Sequence, residues 1–250
     1  LGSASEACKD QLQAFLDGFP LRYLRFTPKK KIADHFRLSE KLKTPNDVAF
    51  KLVRSRTTFE LSLMAFDRPF LFADLTGVLS YFGMNILRGQ AFANNRGMIL
   101  DIIEFEDELQ TFKLNKSEIE NFRFTLQRVL GGEESLSQLL QRRESSILFQ
   151  RKHKGSVATF INFDDRSSEK YTIVEIVTRD RYGLLSTIAR TFAQYACNIE
   201  VALISTEVLS LYSKTTRVSG ASRFTSLKEM MAAAFSMAGR RSASCCMKAA

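Results

Sequence analysis

Asp180-Arg181-Tyr182-Gly183-Leu184-Leu185, followed by Asn198-Ile199, decides how this chain is read, because the pattern occurs twice. The earlier form is Asp67-Arg68-Pro69-Phe70-Leu71-Phe72, followed by Asn85-Ile86. In each, Asp-Arg closes a β-branched or aliphatic run, Thr58 to Phe66 and Tyr171 to Val177, and opens a stretch of helical spacing. Asn-Ile stands 18 residues after the Asp both times, and the landmarks of the two forms lie 113 residues apart without a gap. Asp-Arg alone is a common dipeptide. Two strand–turn–helix–strand settings in register mark one small α/β module held twice.

Working outward from the first form, Phe59, Leu61, Leu63 and Ala65 alternate with more polar residues as a strand does. Leu71, Leu75, Val78, Leu79 and Phe82 trace a helix face that Gly83 stops. Ile86 to Ala93 returns as a strand, Asn94-Asn95-Arg96-Gly97 signals a hairpin, and Met98 to Phe105 is the partner strand. Ser117-Glu118-Ile119-Glu120 reads as a capping box before the stripe Ile119, Phe122, Leu126, Val129 and Leu130. Val157, Thr159, Ile161 and Phe163 then alternate as a closing strand, after a polar stretch with room for a short helix. The expected order is βαββαβ, a ferredoxin-like α+β module with an antiparallel sheet.

The second form begins equally well. Ile173, Glu175 and Val177 lead to Asp180, Leu184, Leu185, Ile188, Ala189 and Phe192 give the helix face, and Asn198 to Ser205 returns. After Glu207 the correspondence fails: no Gly or Asn marks a hairpin, Lys214-Thr215-Thr216-Arg217 interrupts the partner strand, and Gly239 to Ala250 offers no final strand. Ser226, Leu227, Met230 and Phe235 suit a capped helix. The new bias to Ser, Ala, Met and Arg suggests a shifted reading frame or a degenerate end, so the second module is expected to be incomplete. The domains expected are a helical connector at 1–56, a first module at 57–165, the start of a second at 169–206 and an atypical tail at 207–250. Within the connector, Lys9 to Phe19 suits a helix ended by Pro20, Thr27-Pro28 suits an N-cap, and Lys29-Lys30-Lys31 read as solvated lysines. The opening Leu1-Gly2-Ser3 looks like a cut, as in a piece of a longer protein.

Composition narrows the function classes. A hydrophobic fraction of 45% with 21 Phe can fill real cores. No apolar run approaches the roughly 20 residues that cross a bilayer, and no signal peptide opens the chain, so a cytoplasmic protein is expected. Four Cys, two of them adjacent at Cys245-Cys246, fit neither a disulfide framework nor a zinc site. The net charge of +9 is concentrated: Arg22 to Arg56 holds 11 basic and 3 acidic residues. With 2 His in all, His35 and His153, no polyhistidine metal site or nucleophile–base constellation can be assembled.

Each Asp-Arg turn delivers a helix N-terminus, whose free N–H groups and positive dipole end suit a carboxylate. Gly183 lets a ligand approach the backbone, and Asn198 on the neighbouring strand offers donor and acceptor to an amide. The candidate ligand residues are therefore Asp180, Arg181, Gly183, Leu184, Leu185, Asn198 and Ile199, with Asp67, Arg68, Phe70, Leu71, Asn85 and Ile86 in the first copy. The bland alternative is that the Asp residues cap helices and the Asn residues end turns.

The Asp-Arg-Pro-Gly-Leu-like turns, the βαββαβ order and the Asn-Ile pairs resemble ACT domains, small regulatory modules that commonly bind amino acids. Phe19-Pro20-Leu21-Arg22-Tyr23-Leu24-Arg25-Phe26-Thr27-Pro28 and the run from Asp164 to Glu175 narrow the resemblance to the tandem ACT region of the bacterial bifunctional PII uridylyltransferase/uridylyl-removing enzymes. It covers about Asp10 to Thr206. That family implies a nitrogen sensor: a nucleotidyltransferase domain modifies the PII regulatory protein, a metal-dependent hydrolase domain reverses it, and the ACT pair senses glutamine. Neither catalytic motif stands in this sequence, so no cofactor is expected here, Mg being implied for the catalytic domains alone. Phe70 stands where the family's turn has Gly, which would fill the first site or be forced away from positive φ, and Tyr182 replaces the family's Pro. The second site is therefore favoured. The competing readings are a self-association module without a ligand and a basic adaptor for nucleic acid or an acidic protein.

Overall fold

The computed structural model describes residues 2–144, 159–164, 166–167, 172–178, 183–195, 197–205 and 244–249. Three helices open the chain, α1 (Gly2–Leu16), α2 (Leu21–Phe26) and α3 (Lys29–Ser39), before β1 (Val48–Arg54) and β2 (Thr58–Phe66). The first Asp-Arg turn leads to α4 (Leu71–Tyr81), β3 (Asn85–Ala93) and β4 (Met98–Glu106). Helices α5 (Thr111–Leu114), α6 (Lys116–Leu130) and α7 (Leu136–Glu144) follow. The later part holds β5 (Phe160–Asp164), β6 (Thr172–Val177), α8 (Leu184–Gln194), β7 (Asn198–Ser205) and β8 (Ser244–Ala249). The architecture is α+β, compatible with ferredoxin-like modules.

The strands form a single sheet in the order β1-β2-β4-β3-β7-β8-β6-β5. That order reads the same from either end once the copies are matched: β2 with β6, β4 with β8, β3 with β7. The two halves meet where β3 pairs antiparallel with β7, Arg88 opposite Ser205 and Gln90 opposite Leu203. The four strands of the first half are antiparallel throughout, with Val48 opposite Ala65, Leu63 opposite Asp101 and Ala91 opposite Asp101.

Several expectations are corrected. The strand expected to close the first module belongs to the second half: β5 pairs with β6, Phe160 opposite Val177. Its place beside β2 is taken by β1, within the stretch read as a helical connector. The cause is loop closure. β1 reaches β2 through a short turn in which Ser55 N–H donates to the Thr58 carbonyl at 2.8 Å, whereas β5 would have to return across α6 and α7. Each half is thus a hairpin followed by the helix and its return strand. The expected absence of a final strand is also overturned, since β8 lies between β6 and β7, with Met247 opposite both Val174 and Ala202. It runs parallel to both neighbours, where β4 is antiparallel to its own. An open slot between two strands exposes unpaired backbone groups on both sides, which β8 satisfies. The stretch 206–243, where no hairpin but a capped helix is expected, lies outside the described residues.

Helices cover both faces of the first half. On one, Leu61, Leu63, Ile103 and Phe105 pack beneath Leu75, Leu79, Phe122 and Leu126. On the other, Met64, Phe92 and Leu100 pack against Phe15, Tyr23 and Leu38 of the opening helices. There Tyr23 Oη lies 2.9 Å from His35 Nδ1, and His35 Nε2 lies 3.3 Å from Ser62 Oγ. Burial lowers the His35 pKa to about 4, so the ring is neutral. Lys31 is not simply solvated, because its Nζ donates to Glu60 at 2.7 Å. Two helix starts also differ from expectation. Asn115 rather than Ser117 caps α6, its side chain accepting from Ser117 N–H, and α3 begins after Pro28 without a side-chain cap.

Candidate functional site: a cleft shared by the two copies

The first turn is set by its own sequence. Asp67 N–H donates to the Gly97 carbonyl at 2.8 Å, anchoring the end of β2 to the hairpin. Phe70 then takes φ 68°, ψ −3° as the residue before α4, matching Gly183 at φ 73°, ψ 4° before α8. The expectation that a bulky side chain would be driven from positive φ is overturned. The turn geometry is kept and the Phe backbone is strained, at a cost of about 1–3 kcal/mol. Part of the compensation is visible: the Arg190 guanidinium lies 5.6 Å from the centre of the Phe70 ring and donates to Asp74 Oδ1 at 2.9 Å. Burial pushes the Asp74 carboxyl up, against the pull of Arg190 and Arg68.

Helices α4 and α8 lock together. Gly183 N–H donates to Ser80 Oγ at 2.9 Å, and Ser186 Oγ donates to the Ala73 carbonyl at 2.8 Å. Gly77 permits the approach: a Cβ there would stand 2.2 Å from Leu136 Cδ2 and 3.0 Å from Ser186 Oγ. With α8 so fixed, its small residues form one wall of a cleft whose other wall is the first Asp-Arg turn.

The cleft has a volume of about 310 Å³. Asp67 to Ala73 line one side, Ala91, Phe92, Ile99 and Asp101 the floor, and Ala189, Ala193, Cys197 and Ile199 the opposite side. Phe70, the residue before α4, makes no side-chain cap bond, and Leu71, Phe72 and Ala73 of the first turn line this space. Asp101 is 2% exposed, and its Oδ2 has no hydrogen-bond partner among the described residues. Burial raises its pKa to about 8, and the neighbouring Asp67 charge adds to the rise. The carboxyl therefore holds its proton at neutral pH. Burial also pulls the Arg68 guanidinium down, with Asp74 opposing, and pushes the Cys197 thiol up.

Of the residues singled out in the sequence, Asp67, Arg68, Phe70, Leu71 and Ile199 line this cleft. Leu184 and Leu185 pack instead against Val174, Ile176, Ile188 and Phe192. Asn85 Nδ2 donates to Glu108 Oε1 at 2.9 Å, and Ile86 packs against the core beneath α4. Gly183 precedes α8, and Asn198 opens β7 opposite Ser244. Asp180 and Arg181 lie outside the described residues. Asp101 and the alanines of α8 were missed. A signal for Asp101 was present, because it shares one strand face with Ile99, Ile103 and Phe105, where an acid is out of place. Among the described residues, no cluster of His, Cys, Asp and Glu could hold a metal ion, and no helix is long and apolar enough to cross a membrane.

No family model matches the chain, and no solved structure matches it. Curated proteins do. The chain is 27% identical over 192 residues to the bifunctional uridylyltransferase/uridylyl-removing enzyme of Rhodopseudomonas palustris, covering 75% of this chain and 20% of that protein. To the protein of the same name from a Bradyrhizobium strain it is 28% identical over 187 residues, 74% of this chain and 19% of the relative. To that of Cereibacter sphaeroides it is 30% identical over 141 residues, 56% and 15% respectively. The chain thus spans about a fifth or less of the length of the curated relatives it matches.

Proposed function

We propose that this chain is a regulatory amino-acid-binding module of the ACT type, sensing glutamine for an enzyme that modifies a PII regulatory protein, with no catalysis of its own. The observation that carries the reading is the cleft itself. An uncapped helix N-terminus, a guanidinium and a buried carboxyl converge in a space of about 310 Å³ that needs both copies to close it. This size and mixture of charges suit a free amino acid. The similarity to uridylyltransferase/uridylyl-removing enzymes supports the setting.

The proposed ligand site is at the first turn rather than the second. The described part of the second turn has Gly183 N–H already engaged by Ser80, while the first opens onto the cleft. Calorimetric titration with glutamine and the other amino acids tests the reading. Saturable heat with glutamine is expected; none with any amino acid at millimolar concentration would overturn it.

A further inference from the structure

We infer that Asp101 selects the ligand: its buried carboxyl, one oxygen of which has no partner among the described residues, receives the ammonium group of a zwitterion whose carboxylate lies toward Arg68 and the start of α4. This rests on the amino-acid reading above and adds the residue that reads the ligand's positive end.

Three observations lead here. Buried polar side chains are normally paired, and leaving a carboxyl oxygen without a partner is costly. Asp101 lies on the cleft floor, and its buried Oδ2 has no partner among the described residues; a donor held in the cleft is what would pair this carboxyl. Asp67 lines the same space, and two carboxyls sharing a small cleft favour a cation between them. Arg68 and the uncapped first turn of α4 supply the opposite sign, suited to a carboxylate. The alanines at 73, 91, 189 and 193 leave room and offer no competing side-chain partner.

Among the described residues, the other groups beside the cleft are already engaged or neutral. Asp74 and Arg190 are paired with each other, and Cys197 contributes a thiol that burial keeps protonated. With its pKa raised to about 8, Asp101 carries a proton in the empty cleft at neutral pH. An arriving ammonium displaces that proton to solvent: one proton leaves, one ion pair forms, and no covalent bond to carbon changes.

The test is calorimetry on the full chain and its Asp101→Asn variant, in buffers of different ionisation enthalpy so that protons released are counted. The probes are L-glutamine, 4-carbamoylbutanoate (glutamine without its α-amino group) and methylammonium. The variant is nearly isosteric and lacks the buried ionisable group, and its unfolding midpoint is recorded alongside. The wild-type chain should bind glutamine with release of about one proton per ligand. The variant should bind it roughly tenfold or more weakly without proton release, and bind 4-carbamoylbutanoate as the wild type does. Unchanged glutamine affinity and proton count in the variant would overturn the assignment while leaving glutamine binding intact. Equal loss of both glutamine and 4-carbamoylbutanoate would also overturn it, showing a general effect on the cleft. If no amino acid binds but methylammonium releases a proton that the variant does not, Asp101 is the cation receptor and the amino-acid reading falls. Silence from all three probes would overturn both.

Discussion

Ser186 of the second copy donates its hydroxyl to the carbonyl of Ala73 in the first at 2.8 Å, a contact between residues 113 positions apart. Ala73 is in the first turn of the helix that lines the cleft, so the bond ties the second copy to the cleft wall of the first. Ser186→Ala should cost about 1 kcal/mol of stability, the loss of one buried hydrogen bond, and should weaken ligand binding through the cleft wall. Urea unfolding followed beside ligand titration measures both; a variant unchanged in each would show that the contact carries neither role.

Gly77 is the second point of close approach. Its substitution by Ala places a methyl 2.2 Å from Leu136 Cδ2 and 3.0 Å from Ser186 Oγ. Leu136 can yield, because its contacting atom ends a flexible side chain, but α7 or α8 must shift with it. A destabilisation of about 1–3 kcal/mol is expected from overpacking, larger for Val than for Ala. A midpoint in urea equal to that of the wild type for Gly77→Val would refute the packing seen here.

Phe70 makes opposing contributions. Gly at this position would relieve the strained backbone but lose the ring beneath Arg190, so Phe70→Gly should change stability by less than about 1 kcal/mol. Val retains the strain and loses the ring; Phe70→Val should cost roughly 2 kcal/mol or more. Thermal unfolding of the two variants distinguishes these outcomes. The result that speaks against a strained Phe70 is Val being tolerated as well as Gly.

Two buried groups tilt stability with pH in opposite directions. For Asp101 the folded pKa of about 8 exceeds the ordinary value of 3.8, so the folded state holds its proton longer. Stability from this source is full below pH ~4 and declines as pH rises toward about 8. For His35 the folded pKa of about 4 lies below the ordinary 6.5, so its contribution is full above pH ~6.5 and declines as pH falls toward about 4. Below pH ~6.5 the two contributions oppose each other, so Asp101→Asn should remove the decline between pH ~6.5 and ~8 and uncover the acidic loss due to His35, whereas His35→Gln should leave the Asp101 decline running from pH ~4 to ~8. Melting temperatures from pH 4 to 9 show this directly, and a variant that keeps its wild-type slope would remove that group from the account.

The two copies were legible in the sequence because Asp67 and Asp180 are each followed 18 residues later by Asn-Ile, and because alternation from Phe59 to Ala65 fixes the strand face. Strand partnership was harder to read. Val48–Arg54 and Phe160–Asp164 both have strand character, but which neighbour each joins depends on the length of chain between them, not on composition. The Ser244–Ala249 strand was missed because an empty slot in a sheet accepts a segment with little apolar alternation. In the cleft, the Asp-Arg turn was visible as a motif, whereas Ala189 and Ala193 entered through packing between helices. Asp101 is legible too, as an acid on an otherwise apolar strand face.

Leu100 and Asp101 are consecutive on β4 and face opposite ways, one toward Phe15 and Tyr23 under the opening helices, the other into the cleft. One strand is therefore the floor of the site and the ceiling of the helical layer behind it. The cleft and the layer of opening helices therefore share one stretch of backbone, so a shift of β4 at either surface is transmitted to the other.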